Sequence, residues 1–260
     1  MTKAILGLPS HLRARLAAAL ASGTLSAGCS VVALRSALGL RQGGEEVVAA
    51  LGEFERLGVI GTAAAAWIRS LEEVALAAPR PDLVWSGPEV PGVPARDTRR
   101  VYDELLGSAE RSVWVSSYAY FDGPRAFKTL ARRMDERPAL SVTLLLNIQR
   151  RRGDSTTAED LVRRFAERFW SRDWPGKVRP QVFYDPRSLE PEGPGGVLHA
   201  KAVVADEEVV FVTSANLTEA ALDRNIEAGL LVRDRALAGS MVSHFRGLIE
   251  GQILSPLPTT

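Results

Sequence analysis

Two basic side chains, His199 and Lys201, stand one residue apart in the otherwise apolar segment VLHAKAVVAD, residues 197–206. Side chains two positions apart on a strand share a face and lie about 7 Å apart, so one ligand could contact both. Near neutral pH an imidazole can act as a nucleophile or as a proton donor, and an ammonium group supplies fixed positive charge. The alternative interpretation is a buried histidine satisfied by a neighbour and a lysine at a strand end.

The polar residues that follow the pair favour the chemical interpretation. Asp206 comes after four further residues, and Thr213, Ser214 and Asn216 come after six more. The spacing H-x-K-x4-D-x6-T-S-x-N resembles the HKD motif of the phospholipase D superfamily, which has glycine where this chain has Thr213. Residues 98–250 resemble one complete domain of that superfamily, with a single motif.

The resemblance implies a role for each residue of the motif. His199 would attack phosphorus to form a phosphohistidine, while a second histidine would act as general acid and later activate water. Lys201 and Asn216 would hold the phosphate oxygens, and Ser214 would add a hydrogen bond in the same pocket. Glu227 falls where the family has an acidic residue that orients the imidazole; a charged residue at a strand edge is an equally good interpretation.

Asp206 and Thr213 are expected to support the motif, with Asp206 stabilising a turn and not touching substrate. The family's chemistry implies neither a metal ion nor a cofactor, and the sequence has no cluster of metal ligands that argues otherwise. It does imply two histidines. His11, in the helical N-terminal region, and His244, on a predicted terminal helix, are not expected to supply the second. Single-motif members of the superfamily pair two chains about a two-fold axis, so the resemblance implies a homodimer with a shared active site.

A narrower resemblance extends over nearly the whole chain. The helical N-terminal region and the segments LVWSGPEVPG, LHAKAVVAD and TSANLTEAALDRNIEAGLLV are similar to the phospholipase D-like DrmC components of the DISARM antiphage defence system. This similarity implies a role in antiviral defence, with other proteins of the system as partners.

Alternating helices and strands must position these residues. The pattern predicts helices at 98–109, 124–136 and 236–251, a further helix capped by Thr157, strands at 112–120, 140–148, 180–184, 197–205, 208–213 and 225–232, and a Gly/Pro-rich loop at 185–196. Several strands are apolar on both faces, as in a buried sheet. The fold class is therefore α/β, with a phospholipase D-like mixed sheet flanked by helices and a small helical domain before it.

The domain boundary is expected in a proline-rich stretch. Residues 1–78 are expected to form a helical N-terminal domain, because the apolar spacing from Ser10 to about Ala78 is typical of three or four helices. Nothing in residues 35–41 marks a recognition helix, which favours a packing or docking domain over a winged-helix DNA binder. Five of the fifteen prolines fall between Pro79 and Pro94, which rules out regular helix and favours an extended connector over residues 79–95. The catalytic domain then covers residues 96–252.

The overall charge does not select a substrate, because 32 Lys and Arg balance 31 Asp and Glu. A polyanion site must therefore be local. Nucleic acid is the expected substrate, through clustered arginines and two tryptophans that could stack on bases; a solvated face and core anchoring are the alternative interpretations. These residues are Arg150, Arg151, Arg152, Arg163, Arg164, Arg168, Arg172, Trp170 and Trp174.

The remaining features concern location and function class. Cys29, the only cysteine, cannot form an intrachain disulfide, which fits a cytoplasmic protein, and the uncharged stretch at 16–34 is not expected to span a membrane. The leading hypothesis is a metal-independent nuclease in antiphage defence. One alternative is a phospholipid hydrolase or transferase, and another is a phosphate-binding scaffold subunit with little turnover.

Overall fold

The computed structural model describes residues 2–190 and 196–259 of the chain. They form two compact units, one ending at Ala78 and the other beginning at Pro79. Residues 191–195 of the predicted Gly/Pro-rich loop lie outside the described residues.

The described residues of the N-terminal unit form helices joined by short turns. The helices are α1 Thr2–Leu6, α2 Ser10–Ala21, α3 Val31–Leu38, α4 Glu45–Arg56 and α5 Gly61–Ala77. Leu16 and Leu51 are fully buried between them, and the ring of Phe54 meets Trp67 edge-on with centroids 4.7 Å apart. Four of these helices match the predicted helical region, and α1 is an additional short helix before it.

The second unit is built on one mixed sheet of nine strands in the described residues, in the order β2-β1-β8-β7-β6-β3-β4-β5-β9. The strands are β1 Asp82–Ser86, β2 Arg96–Asp97, β3 Ser112–Ser117, β4 Ser141–Leu146, β5 Gln181–Tyr184, β6 Ala202–Ala205, β7 Val209–Thr213, β8 Glu227–Arg233 and β9 Ser255–Pro256. Strands β3, β4 and β5 run parallel, whereas β6, β7, β8 and β1 are antiparallel neighbours.

Helices cover both faces of this sheet. They are α6 Thr98–Ser108, α7 Gly123–Ala126, α8 Lys128–Glu136, α9 Ala158–Arg168, α10 Glu219–Asp223 and α11 Arg235–Glu250. On one face Tyr102 of α6 packs edge-on against Phe211 of β7, with ring centroids 5.2 Å apart. On the other face Val242 of α11 packs with Val204 and Val210. Because adjacent residues of a strand point to opposite faces, each strand contributes to both layers. The predicted fold class is confirmed.

Two local predictions differ from the structure. Strand β6 begins at Ala202, not at residue 197, so His199 and Lys201 precede the strand instead of lying within it. The proline-rich stretch is extended as expected, but its residues 82–86 form β1, which pairs with β8 inside the sheet. The prolines flank this strand at Pro81 and Pro88, so every residue of β1 retains its N–H for the ladder.

The cap of α9 is as predicted. Thr157 accepts a hydrogen bond at its hydroxyl from the backbone N–H of Asp160, at 3.1 Å. This bond satisfies one of the N–H groups that a helix start leaves without a partner.

Candidate active site

His199 and Lys201 meet at the end of the sheet where β6 begins and β7 ends. We call this end the motif edge, and define it as residues 196–201, 214–218 and 118–122. Lys201 Nζ lies 3.2 Å from Nδ1 and 3.3 Å from Nε2 of His199, and it donates a hydrogen bond to the His199 carbonyl at 2.9 Å. The imidazole is exposed, whereas only 8% of Lys201 is.

The surroundings of Lys201 modify its charge. Burial lowers the pKa of its ammonium group, and the negative charge of Glu227 partly opposes this effect. The ring of Tyr118 lies beside both basic groups, with its centroid 5.6 Å from Lys201 Nζ and 4.8 Å from the centroid of the His199 ring. An aromatic face attracts a cation, so Tyr118 helps to hold the ammonium group at this edge.

The second half of the motif faces the first. Asn216 Oδ1 accepts a hydrogen bond from the N–H of Ala119 at 3.2 Å, and among the described residues Nδ2 has no bonded partner. That nitrogen is thus a donor available to a ligand. Thr213, where the resembled motif has glycine, is buried, and its hydroxyl accepts from the N–H of Ala215 at 3.1 Å and donates to the carbonyl of Ala228 at 3.4 Å. The extra side chain therefore bonds within its own turn and to the neighbouring strand β8.

Glu227 contacts Ser214, not the imidazole. Ser214 Oγ donates to the Glu227 carboxylate and accepts from the N–H of Ala228 at 3.2 Å, while Asn225 Nδ2 donates to the same carboxylate at 3.3 Å. Within the described part of the chain, the side-chain contacts of His199 are with Lys201 and Tyr118. Glu227 thus reaches the motif through Ser214 and through its charge at Lys201.

Asp206 lies at the opposite end of β6, in the turn to β7, with a φ angle of 55°. Its carboxylate accepts hydrogen bonds from the backbone N–H groups of Glu110 at 3.0 Å, Arg111 at 2.6 Å and Ser112 at 3.0 Å. Burial favours the neutral acid, but these three donors prevail and lower the pKa of Asp206. Asp206 therefore ties the turn to the start of β3, and is separated from the motif edge by the length of the hairpin.

An open groove of about 930 Å³ runs from the motif edge along α11. Motif residues form its polar end, and one side of α11 forms its wall. The lining residues include His199, Lys201, Ser214, Asn216, Val212, Leu237, Met241 and His244. The sequence analysis placed His244 on a surface helix without a role in the site, and the structure brings it to the same groove as His199.

Three of the seven arginines in the predicted cluster make contacts within the protein itself. Arg150 donates to the backbone carbonyls of Leu189, Asp154 and Thr156. Arg163 pairs with acidic residues of its own helix, and Arg168 with Asp173. The exposed Arg151 and the exposed Arg152 follow β4, whose carboxyl end lies beside the motif edge.

The two tryptophans anchor the fold. Trp174 is 6% exposed and donates from Nε1 to the carbonyl of Val178 at 2.9 Å. Trp170 donates to the carbonyl of Pro258 at 2.7 Å, and the guanidinium of Arg179 lies 4.8 Å from its ring centroid. These contacts match the alternative interpretation of core anchoring, and the hypothesis that both rings stack on bases is wrong for the buried Trp174.

Three residues at or next to the motif edge were not identified from the sequence. Tyr118 contacts the His199 ring, Ser116 donates to the carbonyl of Ala200 at 3.0 Å, and Asn147 accepts from the N–H of Leu198 at 3.2 Å. The available signal was polarity at the carboxyl end of two apolar runs, in VWVSSY and in LLLNI. Parallel strands bring such ends to the same edge of a sheet.

Neither a metal cluster nor a membrane helix is found in the described ranges 2–190 and 196–259. No group of three or more His, Cys, Asp or Glu side chains there is placed to bind a metal ion. No helix formed by these residues has the length and apolar character to cross a membrane.

Comparison with known proteins identifies the class to which this fold and site belong. The family model described as cardiolipin synthase, PLD-like domain, matches residues 102–249, more than half of the chain. The chain therefore belongs to the phospholipase D-like domain family. No curated protein matches it.

Three of the solved structures to which this chain is similar come from bacteria. Nuc, a phospholipase D family member from Salmonella typhimurium, is 19% identical with a TM-score of 0.44, over 68% of this chain and 97% of Nuc. NucT from Helicobacter pylori is 15% identical with a TM-score of 0.45, over 66% of this chain and 96% of NucT. Phosphatidylserine synthase from Haemophilus influenzae Rd KW20 is 18% identical with a TM-score of 0.47, over 74% of this chain and 46% of the synthase.

Proposed function

We propose that this protein is a phosphodiesterase that acts through a phosphohistidine formed on His199. The observation that carries the proposal is the pairing of an exposed imidazole with the buried ammonium group of Lys201, within 3.3 Å, at the polar end of an open groove. Membership of the phospholipase D-like domain family supports the same chemistry.

The residues divide the reaction between them. A ring nitrogen of His199 attacks phosphorus, the P–O bond to the leaving group breaks, and the leaving oxygen takes a proton from a second imidazole. That imidazole then accepts a proton from water, whose oxygen attacks phosphorus as the P–N bond breaks. The ammonium of Lys201 and the Nδ2 of Asn216 hold the non-bridging oxygens, and Ser214, held by Glu227, adds a hydrogen bond.

The second imidazole is proposed to be His199 of a second copy, in a homodimer with one shared site. Apolar side chains next to the motif edge support a protein contact there: Phe121 is 73% exposed, Val197 53% and Ile226 69%. Exposed apolar residues of this size that cluster around a functional edge are typical of a surface that a partner covers.

Nucleic acid is the proposed substrate. Arg151 and Arg152 are exposed in the loop that follows β4 and could contact a phosphate backbone that leads into the site. The similarity to DrmC components extends the proposal to antiphage defence, where other proteins of the system would be partners.

A second candidate is phospholipid hydrolysis or transfer. It is favoured by the apolar wall of the groove, where Val212 is 45% and Leu237 41% exposed next to Met241. An acyl chain would bury these side chains while its phosphodiester reaches His199. A third outcome, binding of phosphate esters without turnover, would make the protein a scaffold subunit.

One set of assays separates these functions. The purified full chain is incubated with single-stranded DNA, duplex DNA, RNA and phospholipid vesicles, each in EDTA, beside His199→Ala. We expect cleavage of nucleic acid that survives chelation, loss of cleavage in the variant without a change in melting temperature, and a phosphate adduct on His199 by mass spectrometry after an alkaline quench. Vesicle hydrolysis alone would establish the second candidate, and full turnover by His199→Ala would refute the mechanism.

A further inference from the structure

The backbone on either side of His199 is hydrogen-bonded to side chains, and the ladder with β7 begins only at Lys201, whose carbonyl accepts from the N–H of Thr213 at 3.1 Å. Residues 196–201 precede β6 and form no regular strand. Two hydrogen bonds fix this segment on either side of the histidine. Asn147 Oδ1 accepts from the N–H of Leu198 at 3.2 Å, and Ser116 Oγ donates to the carbonyl of Ala200 at 3.0 Å.

Both of these side chains are rigidly placed. Ser116 is 1% exposed and belongs to β3, and Asn147, 6% exposed, directly follows β4. These strands are hydrogen-bonded to each other in parallel, with Ser116 opposite Leu145. The two groups therefore stand on adjacent strand ends of the sheet, which hold a position more accurately than a loop does.

Asn147 has a feature that packing alone does not explain. Its Nδ2 is buried and has no hydrogen-bond partner among the described residues. An unsatisfied buried donor destabilises a fold, and such groups in a native structure are often kept for function. A leucine of similar size would fill the same volume without that cost, but it would release the N–H of Leu198.

We propose that Ser116 and Asn147 are positioning residues that fix the backbone of the nucleophile His199. The expected effect on catalysis rests on the proposed function. The effect of the two side chains on the backbone of residues 196–201 can be measured separately. Neither side chain forms a hydrogen bond with the imidazole of His199, so both act through the peptide groups that flank this residue.

The first test measures turnover of an aryl phosphodiester in EDTA. Displacing a reacting group by about 1 Å can reduce the rate about 100-fold, so we expect Ser116→Ala and Asn147→Leu to lower kcat by about 10-fold to 100-fold. KM should stay within about threefold, because Lys201 and Asn216 still bind the phosphate. Ser116→Thr keeps the hydroxyl and should keep kcat.

A matched control separates positioning from a general effect on the sheet. Thr143→Val alters another buried polar side chain of β4, one that makes no contact with residues 196–201, and should leave kcat and KM unchanged. Asn147→Leu should retain or raise the melting temperature while it lowers kcat, since it removes the unsatisfied donor. If Asn147 had only a structural role, Asn147→Leu would instead lower the melting temperature and leave kcat per folded molecule normal.

The second test does not depend on activity. Amide hydrogen exchange, followed by NMR, should accelerate about tenfold or more at Leu198 in Asn147→Leu, and stay unchanged at Val203 in the ladder of β6. Unchanged exchange at Leu198 together with normal kcat would overturn the proposal. If the wild-type protein hydrolyses no diester, the proposed function fails, and the exchange at Leu198 alone decides whether Asn147 holds the segment.

Discussion

The two ends of the β6–β7 hairpin are built in opposite ways. At the turn, residues 206–208, each acidic side chain has partners: Asp206 accepts three backbone N–H groups, Glu207 pairs with Arg246, and Glu208 pairs with Arg111 and Arg235. At the motif edge an imidazole is exposed and an ammonium group is buried beside it, while the amide nitrogen of the nearby Asn147 has no hydrogen-bond partner in the described part of the chain.

This contrast assigns different physical roles to residues of one motif. Asp206 stabilises the fold, because a carboxylate that receives several N–H donors contributes more than a neutral hydrogen bond does. Lys201 has the reverse effect, since burial of its charge lowers its pKa and opposes folding of the charged form. Groups that are held at some cost to stability are typical of functional sites.

Among the substitutions that test this comparison, Lys201→Met should have the largest effect on activity. Removing a charge that is proposed to hold phosphate oxygens should reduce kcat/KM by about 10²-fold to 10³-fold, as for other preorganised donors. The melting temperature should stay the same or rise, because a buried ammonium group is replaced by an apolar side chain. The control Lys128→Met, at an exposed position on α8, should change neither quantity. A strong loss of stability in Lys201→Met would show that the two ends are not built differently.

Asp206→Ala should produce the reverse result. Three N–H groups lose their acceptor, so the free energy of unfolding should fall by about 2–3 kcal/mol in denaturant titrations, while kcat per folded molecule is unchanged. Part of this loss arises from the positive φ of 55°, which alanine adopts poorly. Asp206→Gly removes that strain, so it should recover part of the lost free energy of unfolding. A kcat that falls with stability intact would place Asp206 in the catalytic machinery.

Acid should weaken the turn between β6 and β7. Because the pKa of Asp206 is lower in the folded protein than in the unfolded chain, its contribution is present above the ordinary value of 3.8. The contribution is lost as pH falls from there through the lower folded pKa. Melting temperatures measured between pH 6 and pH 2 should therefore fall less steeply in Asp206→Asn than in the wild-type protein. Identical slopes would contradict this assignment.

The smallest effect is expected from His244→Ala. The imidazole of His244 lines the groove, but the account takes the general acid from a second copy, so kcat should change by less than about threefold. A fall of about 100-fold or more would mean that His244 donates the proton within one chain. In that case the dimer would not be needed for catalysis.

The sequence predicted the parts of this molecule that depend on neighbours along the chain. The spacing from His199 to Asn216 is local, and so is the cap of α9 at Thr157. Residue types alone also indicated most strands, because apolar runs are visible without knowledge of their partners. The start of β6 was placed five residues too early, since alternation does not reveal whether a segment has a ladder partner.

Contacts between distant segments could not be predicted in this way. Ser116 and Ala200 are 84 residues apart in sequence, and Asn147 and Leu198 are 51 apart, so nothing in the local pattern links them. The contacts of Arg150 were missed for the same reason, because the carbonyls that accept from it belong partly to another segment of the chain. Helix α10 was missed because five residues are too few to show a period.

The most direct test of the account is a mixed pair of chains. Wild-type and His199→Ala copies with different affinity tags are co-expressed, and the hetero-pair is purified through both tags and assayed on an aryl phosphodiester. If two copies share one site, the pair has a single imidazole and its turnover should fall about 100-fold or more below that of the wild-type dimer. A pair that retains half of the wild-type turnover, or a wild-type protein that is fully active as a monomer, would contradict the account.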